Sequence, residues 1–222
     1  MKNLAQIGKA VLLGIVLSAP GFCLNAAPFV VPVGEFSKGK LNGWETKEFE
    51  GKTAYVLAEV DGKRVLRAES RRSASGLVRN IRVDLHKTPF LNWRWRAENI
   101  LGDVDERSKA GDDYPARIYV VVSGGLAFWR TRAVNYVWAT RLPEGATWEN
   151  AFAGKNAMMV AVESGDRKLA VWVREKRDVR ADLRRFYGED IRYIDAVALM
   201  TDTDNSNGHA VAYYGDIFFS AE

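Results

Sequence analysis

The chain has 222 residues, of which 47% are hydrophobic and 27% are charged, and its formal net charge at pH 7 is +4. So small a charge gives no electrostatic footprint for nucleic acid. A single cysteine, Cys23, excludes a disulfide within the chain, and with only two histidines the sequence argues against a zinc site of the usual His/Cys type.

The first 26 residues have the order of a cleavable secretory signal. Lys2 and Lys9 give the N-terminal end a positive charge. An apolar stretch follows over residues 10–17, and small residues lead up to Ala27. The apolar stretch is shorter than the ~20 residues that span a bilayer, so no transmembrane segment is expected after cleavage. An uncleaved anchor or a buried helix is the alternative. A lipid anchor on Cys23 is disfavoured because Phe22, rather than a small residue, precedes it.

Cleavage predicts a mature chain of residues 27–222 that is periplasmic or secreted. Removal of residues 1–26 deletes two lysines and no acidic residue, so the formal charge falls from +4 to +2. The cysteine is removed as well, and the stability of the mature chain must then come from packing. The remaining length fits one domain.

After the signal, short runs rich in Val, Ile, Tyr, Trp and Phe alternate with Gly, Asn, Asp and Pro. This pattern is typical of an all-β sandwich or barrel with antiparallel strands. The predicted strands cover residues 53–59, 64–70, 76–84, 90–97, 116–122, 133–139, 157–163, 170–174, 194–201 and 210–219.

Two of these strands alternate clearly enough to assign their faces. Over residues 91–97 the odd positions are apolar, so Trp93 and Trp95 share one face. In the last strand the even positions from Ala210 to Phe218, Asp216 among them, share a face, with Val211, Tyr213, Ile217 and Phe219 opposite. Aromatic residues occur on both of its faces, which predicts a central strand.

One short helix is predicted. Asp178 is a capping residue, Val179, Leu183 and Phe186 share one face, and Gly188 provides the stop after Tyr187. We interpret this helix as a crossover between strands.

Several motifs resemble a known bacterial family. They are Gly-Asp-Asp-Tyr-Pro-Ala-Arg-Ile-Tyr over 111–119, Asn-Tyr-Val-Trp-Ala over 135–139, the segment 172–182, Met-Thr-Asp-Thr-Asp-Asn over 200–205, and Ala-Tyr-Tyr-Gly-Asp-Ile over 212–217. Their order resembles the family catalogued as domain of unknown function 3047, over nearly the whole mature chain. The resemblance implies a galactose-binding-like jelly roll, a fold that often carries carbohydrate-binding modules, and it implies no activity. The chain departs from the family motif at Ser206-Asn207, where Thr-Gly is expected.

The loop over residues 202–208 is dense in oxygen ligands. Asp202, Asp204 and Asn205 are candidate ligands for calcium, which takes six to eight oxygens. The loop is not an EF-hand, because Asn207 stands where that motif needs glycine. The alternatives are a polar turn whose side chains bond their own backbone, or direct contact with a ligand.

Two further clusters are candidate ligand-binding residues. Asp112 and Asp113 precede a strand, and either forms an ion pair with Arg117 or accepts hydrogen bonds from sugar hydroxyls. The second cluster comprises Trp172, Glu175 and Arg177, which place an aromatic plane beside charged groups. A solvated charged face is its alternative.

Tryptophans give a further expectation. Most of the seven are expected in the core, and Trp129 and Trp148 are predicted to be the most exposed.

No nucleophile elbow or nucleotide-binding loop occurs in the sequence, which leaves three hypotheses. The first is a non-catalytic module that binds a saccharide or another polar ligand, such as a component of the cell envelope. The second is an envelope hydrolase that uses Asp or Glu. The third is a structural or protein-interaction module. Under the first, the two candidate clusters and the 202–207 loop are predicted to converge at one end of the sandwich.

Overall fold

The computed structural model describes residues 29–222, so the predicted signal, residues 1–26, lies outside the described residues. The strands are β1 (Val30–Gly34), β2 (Trp44–Glu50), β3 (Ala54–Val60), β4 (Lys63–Arg71), β5 (Ala74–Asp84), β6 (Phe90–Ala97), β7 (Arg117–Val122), β8 (Arg132–Ala139), β9 (Thr147–Asn150), β10 (Gly154–Ser164), β11 (Val173–Asp178), β12 (Tyr193–Met200), β13 (His209–Tyr214) and β14 (Ile217–Ser220). One α-helix, α1 (Val179–Tyr187), lies between β11 and β12. Within residues 29–222, no helix is long and apolar enough to cross a membrane.

The strands form two sheets. The first sheet has the order β1-β14-β6-β13-β4-β3, and β11 pairs with β6; the second has the order β2-β5-β12-β7-β8-β10-β9. Every pair is antiparallel except β8 with β10, because the chain continues from β8 to the edge strand β9 and returns as β10 between them. The structure confirms the predicted all-β, two-sheet jelly-roll sandwich, with one parallel pair added.

Aromatic side chains from both sheets fill the space between them. Trp93 and Trp95 are 3% and 0% exposed, which confirms that they share a buried face of β6. Trp93 lies 5.5 Å from Tyr136 of the second sheet, and Trp95 lies 6.1 Å from Trp138, between ring centroids. These contacts join the two sheets through one core, since large aromatic rings bury the most apolar area per residue.

The last predicted strand is divided by a β-bulge. Tyr214 pairs with Trp95 and Phe218 with Asn92, so this strand advances one residue more than its partner. The extra residue shifts the alternation, as bulges do. Ile217 and Phe219 therefore face the core after Gly215, and the prediction that Asp216 and Phe218 continue the face of Tyr214 was wrong. The central position of β13 and β14 is confirmed.

The predicted helix is confirmed together with its caps. The backbone N–H of Ala181 donates to the Asp178 carboxylate at 2.9 Å, and Gly188 ends the helix with a positive φ of 71°. Val179 and Leu183 are buried, and the helix connects β11 of the first sheet to β12 of the second. It is therefore a crossover between sheets.

Three strands were not predicted from the sequence. β1 contains Pro32, β2 is polar and largely exposed, and β9 has only 4 residues. All three lie at sheet edges, where proline and charged residues are tolerated because one row of backbone groups needs no partner strand. The strand predicted over 170–174 begins instead at Val173.

Candidate functional site

The outer face of the second sheet carries polar residues at its centre. In β7 and β8, Ile118 and Tyr136 face the core, so alternation places Arg117, Tyr119 and Asn135 on the opposite face. Tyr119 pairs directly with Asn135 across the two strands. These residues form the floor of a cavity of about 430 Å³, which we call the Asp202 cleft. Its polar lining consists of Asp112, Arg117, Asn135, Asn150, Asp202, Asp204 and Asn205.

A buried ion pair lies at the base of the cleft. The Arg117 guanidinium donates to the Asp202 carboxylate, and a second nitrogen lies 3.5 Å from Asp112 Oδ1. Arg117 is 5% exposed and Asp202 is 1% exposed. The rings of Tyr114 and Tyr119 lie 5.1 and 5.3 Å from the guanidinium, which adds cation–π contacts on a desolvated cation. The ion pair with Arg117 that the sequence offered as one alternative for the Asp112–Asp113 cluster is therefore present, and it is made by Asp112.

Asp113 holds the 202–208 loop in place. It is completely buried and accepts hydrogen bonds from Asn205 N at 3.3 Å, Asn205 Nδ2 at 3.1 Å and Ser206 N at 2.6 Å. Thr203 fixes the other side of the loop through Ser70 at 2.8 Å. The loop is thus ordered by side chains from two separate parts of the chain, which pre-organises the carboxylates of Asp202 and Asp204.

Three carboxylates lie close enough to share one cation. Asp113, Asp202 and Asp204 each have an oxygen within 4.8 Å of the others. Calcium binds oxygens at 2.3–2.6 Å, so two of its ligands can be up to about 5 Å apart. Of the three predicted metal ligands, Asp202 and Asp204 belong to this group. Asn205 lies beside them, but its amide nitrogen donates to Asp113, and Asp113 is the third acidic member.

Burial changes the proton affinity of these acids. Burial raises the pKa of Asp202 well above its usual range, and neighbouring carboxylates raise it further, although Arg117 opposes this. Burial is also the main cause of the raised pKa of Asp112, and burial with the nearby Asp113 carboxylate raises the pKa of Asp204. The single positive charge of Arg117 does not balance the negative charges of the carboxylates around it. Protonation of these carboxylates or a bound cation therefore stabilises the folded site.

Several polar atoms of the cleft lack a hydrogen-bond partner among residues 29–222. They are Asp112 Oδ1, Arg117 Nε, Asn135 Oδ1 and Asp204 Oδ1. Asp112 is 5% exposed and Asn135 is 1% exposed. An unsatisfied buried polar atom costs about 1–3 kcal/mol, so such atoms are rare unless a bound molecule completes them. Their concentration in one cavity indicates a ligand-binding site.

Aromatic side chains form the walls of the cleft. Phe49 and Phe152 line it although they are 62% and 58% exposed, and Tyr119 of β7 lies at its floor. A second cavity of about 450 Å³ adjoins the cleft and shares Phe49, Tyr119 and Met200 with it. The two cavities together form an elongated groove across the outer face of the second sheet.

The second predicted cluster does not join the cleft. Trp172, Glu175 and Arg177 lie on or beside β11, which pairs with β6 in the first sheet. Arg177 pairs with Asp182 at 2.8 Å, and Trp172 donates to Asp61 at 3.3 Å. Glu175 is opposite Trp93 and faces the interior, where burial raises its pKa to about 8. The prediction that these residues converge with Asp112 and Asp202 was wrong, because β11 belongs to the other sheet.

The tryptophan prediction was half right. Trp129 is 64% exposed, whereas Trp148 is 7% exposed and its indole N–H donates to the Glu106 carbonyl at 3.1 Å. The residues that the sequence analysis missed are Phe49, Tyr119, Asn135, Asn150 and Phe152. Alternation within β7 and β8 could have found Tyr119 and Asn135, since both are opposite core residues.

The fold and the cleft define a jelly-roll β-sandwich with a polar, aromatic-walled groove on one outer sheet face. The chain belongs to the family described as Protein of unknown function (DUF3047), whose model matches residues 42–218. This confirms the resemblance seen in the sequence motifs. A search of the curated proteins found no match to the chain.

The fold is similar to several solved structures. A mutant of a carbohydrate-binding module of family 29 is 11% identical, with 88% of this chain and 93% of that chain covered and a TM-score of 0.40. The carbohydrate recognition domain of Emp47p is 14% identical, with 89% and 97% covered and a TM-score of 0.45. A carbohydrate-binding module of the β-sandwich superfamily is 13% identical, with 82% and 59% covered and a TM-score of 0.41. Scores this low carry no argument about function, which therefore rests on the groove itself.

Proposed function

We propose that this protein is an exported, non-catalytic module that binds a saccharide in the Asp202 cleft. One observation carries the proposal: unsatisfied buried polar atoms form the floor of a cavity whose walls include two exposed phenylalanines. Ligand sites combine apolar and aromatic walls with a few polar groups that fix orientation. The predicted signal over residues 1–26 supports a location in the periplasm or outside the cell, where the glycans of the envelope are available.

A saccharide suits this combination of groups. A sugar hydroxyl both donates and accepts, so one ring can pair with acceptors such as Asn135 Oδ1 and with the donor Arg117 Nε. The C–H faces of the ring are apolar and can lie against Phe49 or Phe152. The adjoining cavity beside Tyr119 extends the groove, which favours a chain of several sugars over a single one.

Calcium is proposed as an accessory ligand of the same site. Asp113, Asp202 and Asp204 would hold it, and a divalent cation would offset the negative charge that Arg117 alone does not balance. Addition of calcium to the metal-free protein should raise the melting temperature, and Asp204→Asn should abolish this rise. An equal rise in the variant, or no rise in the wild type, would remove calcium from the proposal.

The saccharide proposal is tested with a glycan array probed by the exported protein, with and without calcium. Isothermal titration calorimetry with a retained oligosaccharide then compares the wild type with Phe152→Ala and with the control Val56→Ala. Val56 is exposed on β3 of the first sheet, away from the cleft. We expect Phe152→Ala to weaken binding at least tenfold and Val56→Ala to leave it unchanged. Retention of no glycan, or equal affinity in both variants, would overturn the proposal.

One observation favours a hydrolase as the second candidate. Asp112 and Asp204 line the same cavity and both have raised pKa values, as a general acid requires. Incubation of a retained oligosaccharide with the protein distinguishes the two functions. Release of reducing ends that is lost in Asp112→Asn would replace the binding module with a glycosidase.

A further inference from the structure

The outer face of the first sheet holds a second groove. It is separate from the Asp202 cleft, which lies on the second sheet. It has a volume of about 510 Å³ and lies over β6, β11 and β14. Four cationic side chains line it: Lys63, Arg94, Arg174 and Lys176. We call it the cationic groove.

Strand pairing explains why the cations collect on one face. In the β6–β11 pair, Arg94 is directly opposite Arg174, and Asn92 is directly opposite Lys176. Trp93, one residue away, faces the core, so alternation turns these four side chains outward. Like charges directly opposite each other destabilise a sheet. The placement of Arg94 opposite Arg174 therefore does not help folding, which indicates another role for these residues.

No carboxylate of residues 29–222 lies within ion-pairing distance of the four cations. The next outward arginine on β6 differs, since Arg96 pairs with Glu98 at 2.6 Å and lies 3.7 Å from Asp61. Two acidic residues also line the groove: Asp216, which accepts hydrogen bonds from the backbone and the hydroxyl of Ser37, and Glu175, which lies between Arg174 and Lys176 on β11. Four cations against two acids leave the groove with a net positive charge.

Among the described residues 29–222, Arg94 is held in position by contacts other than an ion pair. Its side chain lies across Gly215, where a Cβ atom would overlap it, and its guanidinium lies 4.7 Å from the ring of Trp172. Trp172 is in turn fixed by its hydrogen bond to Asp61. An arginine that is ordered before binding loses less conformational entropy when it meets an anion. Trp172 thus contributes to this groove rather than to the cleft in which the sequence placed it.

We propose that the cationic groove binds an acidic polysaccharide through its carboxylate, sulfate or phosphate groups. Neighbouring strands lie about 5 Å apart, and residues two apart on a strand lie about 7 Å apart, so the cations form a row suited to repeated charges. The groove is recessed, which favours a polymer chain over a flat bilayer surface. Arginine and lysine donors suit all three anionic groups.

Affinity gel electrophoresis tests the proposal with polygalacturonate and dextran sulfate as probes and neutral dextran as the reference. The variant is Arg94→Gln with Arg174→Gln, and the control is Arg167→Gln with Arg184→Gln. The control pair is exposed, has no ion pair within residues 29–222 and removes the same charge. We expect at least tenfold weaker binding of one or both polyanions in the groove variant and less than a twofold change in the control. Equal losses in both would assign the binding to net charge and overturn the proposal.

Two further measurements keep the result interpretable. Circular dichroism and the melting temperature report whether the groove variant folds; if it does not, Trp172→Leu, which leaves all four cations in place, should still weaken polyanion binding several-fold. Vesicles containing phosphatidylglycerol provide the other arm, and tighter binding to them than to either polyanion would assign the groove to a membrane surface instead. Phe152→Ala in the cleft should leave polyanion binding unchanged, so this proposal and the proposed function can fail separately.

Discussion

The two outer faces of the sandwich place arginines in opposite surroundings. On the second sheet, Arg117 is 5% exposed and lies against Asp112 and Asp202. On the first sheet, Arg94 and Arg174 face each other over a groove, and neither forms an ion pair within residues 29–222. The same two-residue alternation produces both faces, so the strand pattern alone does not determine what an outward arginine does.

Burial accounts for the difference. Asp112, Arg117 and Asp202 at the base of the cleft are at most 5% exposed, so their charges are part of the folded structure and their loss costs stability. The cationic groove lies open on its sheet, and its charges are available to an external anion. Substitutions of the buried charges in the cleft should therefore affect both folding and binding, whereas those in the groove should affect mainly binding.

The largest expected effect is in the core that both faces share. Trp95 is completely buried and contacts Trp138 across the sheets, so Trp95→Ala should lower the free energy of unfolding by about 3–5 kcal/mol. Both binding activities should fall together as the protein unfolds. Urea denaturation measures the change, and a midpoint equal to that of the wild type would contradict it.

The same substitution on each face separates the two surroundings. Arg117→Met leaves Asp112 and Asp202 buried without a cation and should cost about 3–5 kcal/mol at pH 8. Arg94→Met loses a cation–π contact and should cost about 1 kcal/mol or less. Urea denaturation of the pair gives the answer. Equal losses would show that burial does not distinguish the faces.

A single strand offers a similar contrast between neighbours. Glu175 follows Arg174 on β11 but faces inward, and burial, with the Glu163 carboxylate, raises its pKa from 4.5 to about 8. Between these values the folded protein keeps a proton that the unfolded chain releases, so this carboxyl's contribution to stability is present below pH 4.5 and lost as the pH rises towards 8. The melting temperature of Glu175→Gln should therefore increase relative to that of the wild type as the pH rises. Thermal scans at about pH 5 and pH 9 test this, and a constant difference would count against it.

The smallest effect concerns pH and ligand affinity. Calcium must displace protons from Asp202 and Asp204, whose pKa values are raised by burial, so its affinity should increase from about pH 5 to pH 8. Binding of dextran sulfate to the cationic groove should not strengthen over this range, because a rise in pH adds no positive charge there, and Glu175, which also lines the groove, loses its proton towards pH 8. Calorimetry at both pH values measures the two affinities. A parallel change in both would show that the faces titrate as one system.

Local patterns in the sequence predicted much of the fold. Alternation over residues 91–97 located the buried pair Trp93 and Trp95, and Asp178 and Gly188 located both ends of α1. The bulge at Gly215 was not predictable in this way, because it arises where β6 pairs with both β13 and β14. β1 and β2 were missed because edge strands need no alternating apolar pattern.

The candidate site was predicted only in part. Asp112, Asp113, Arg117, Asp202, Asp204 and Asn205 do lie together, since their loops flank neighbouring strands of the second sheet. Trp172, Glu175 and Arg177 do not, because nothing in the local sequence of β11 shows which sheet it joins. Phe49 and Phe152 come from a missed strand and a turn, and only the tertiary structure brings them to the cleft.

The pairing of β1 with β14 has a consequence for how the chain folds. Val30 pairs with Ser220 and Val31 with Phe219. The first strand therefore gains its partner only when nearly the last described residues have joined the sheet. Contacts this distant in sequence slow folding, and until they form, the edges of β1 and β6 stay open to other chains. Holdase chaperones that cover extended segments should therefore increase the yield of this protein more than that of a sandwich built from local hairpins.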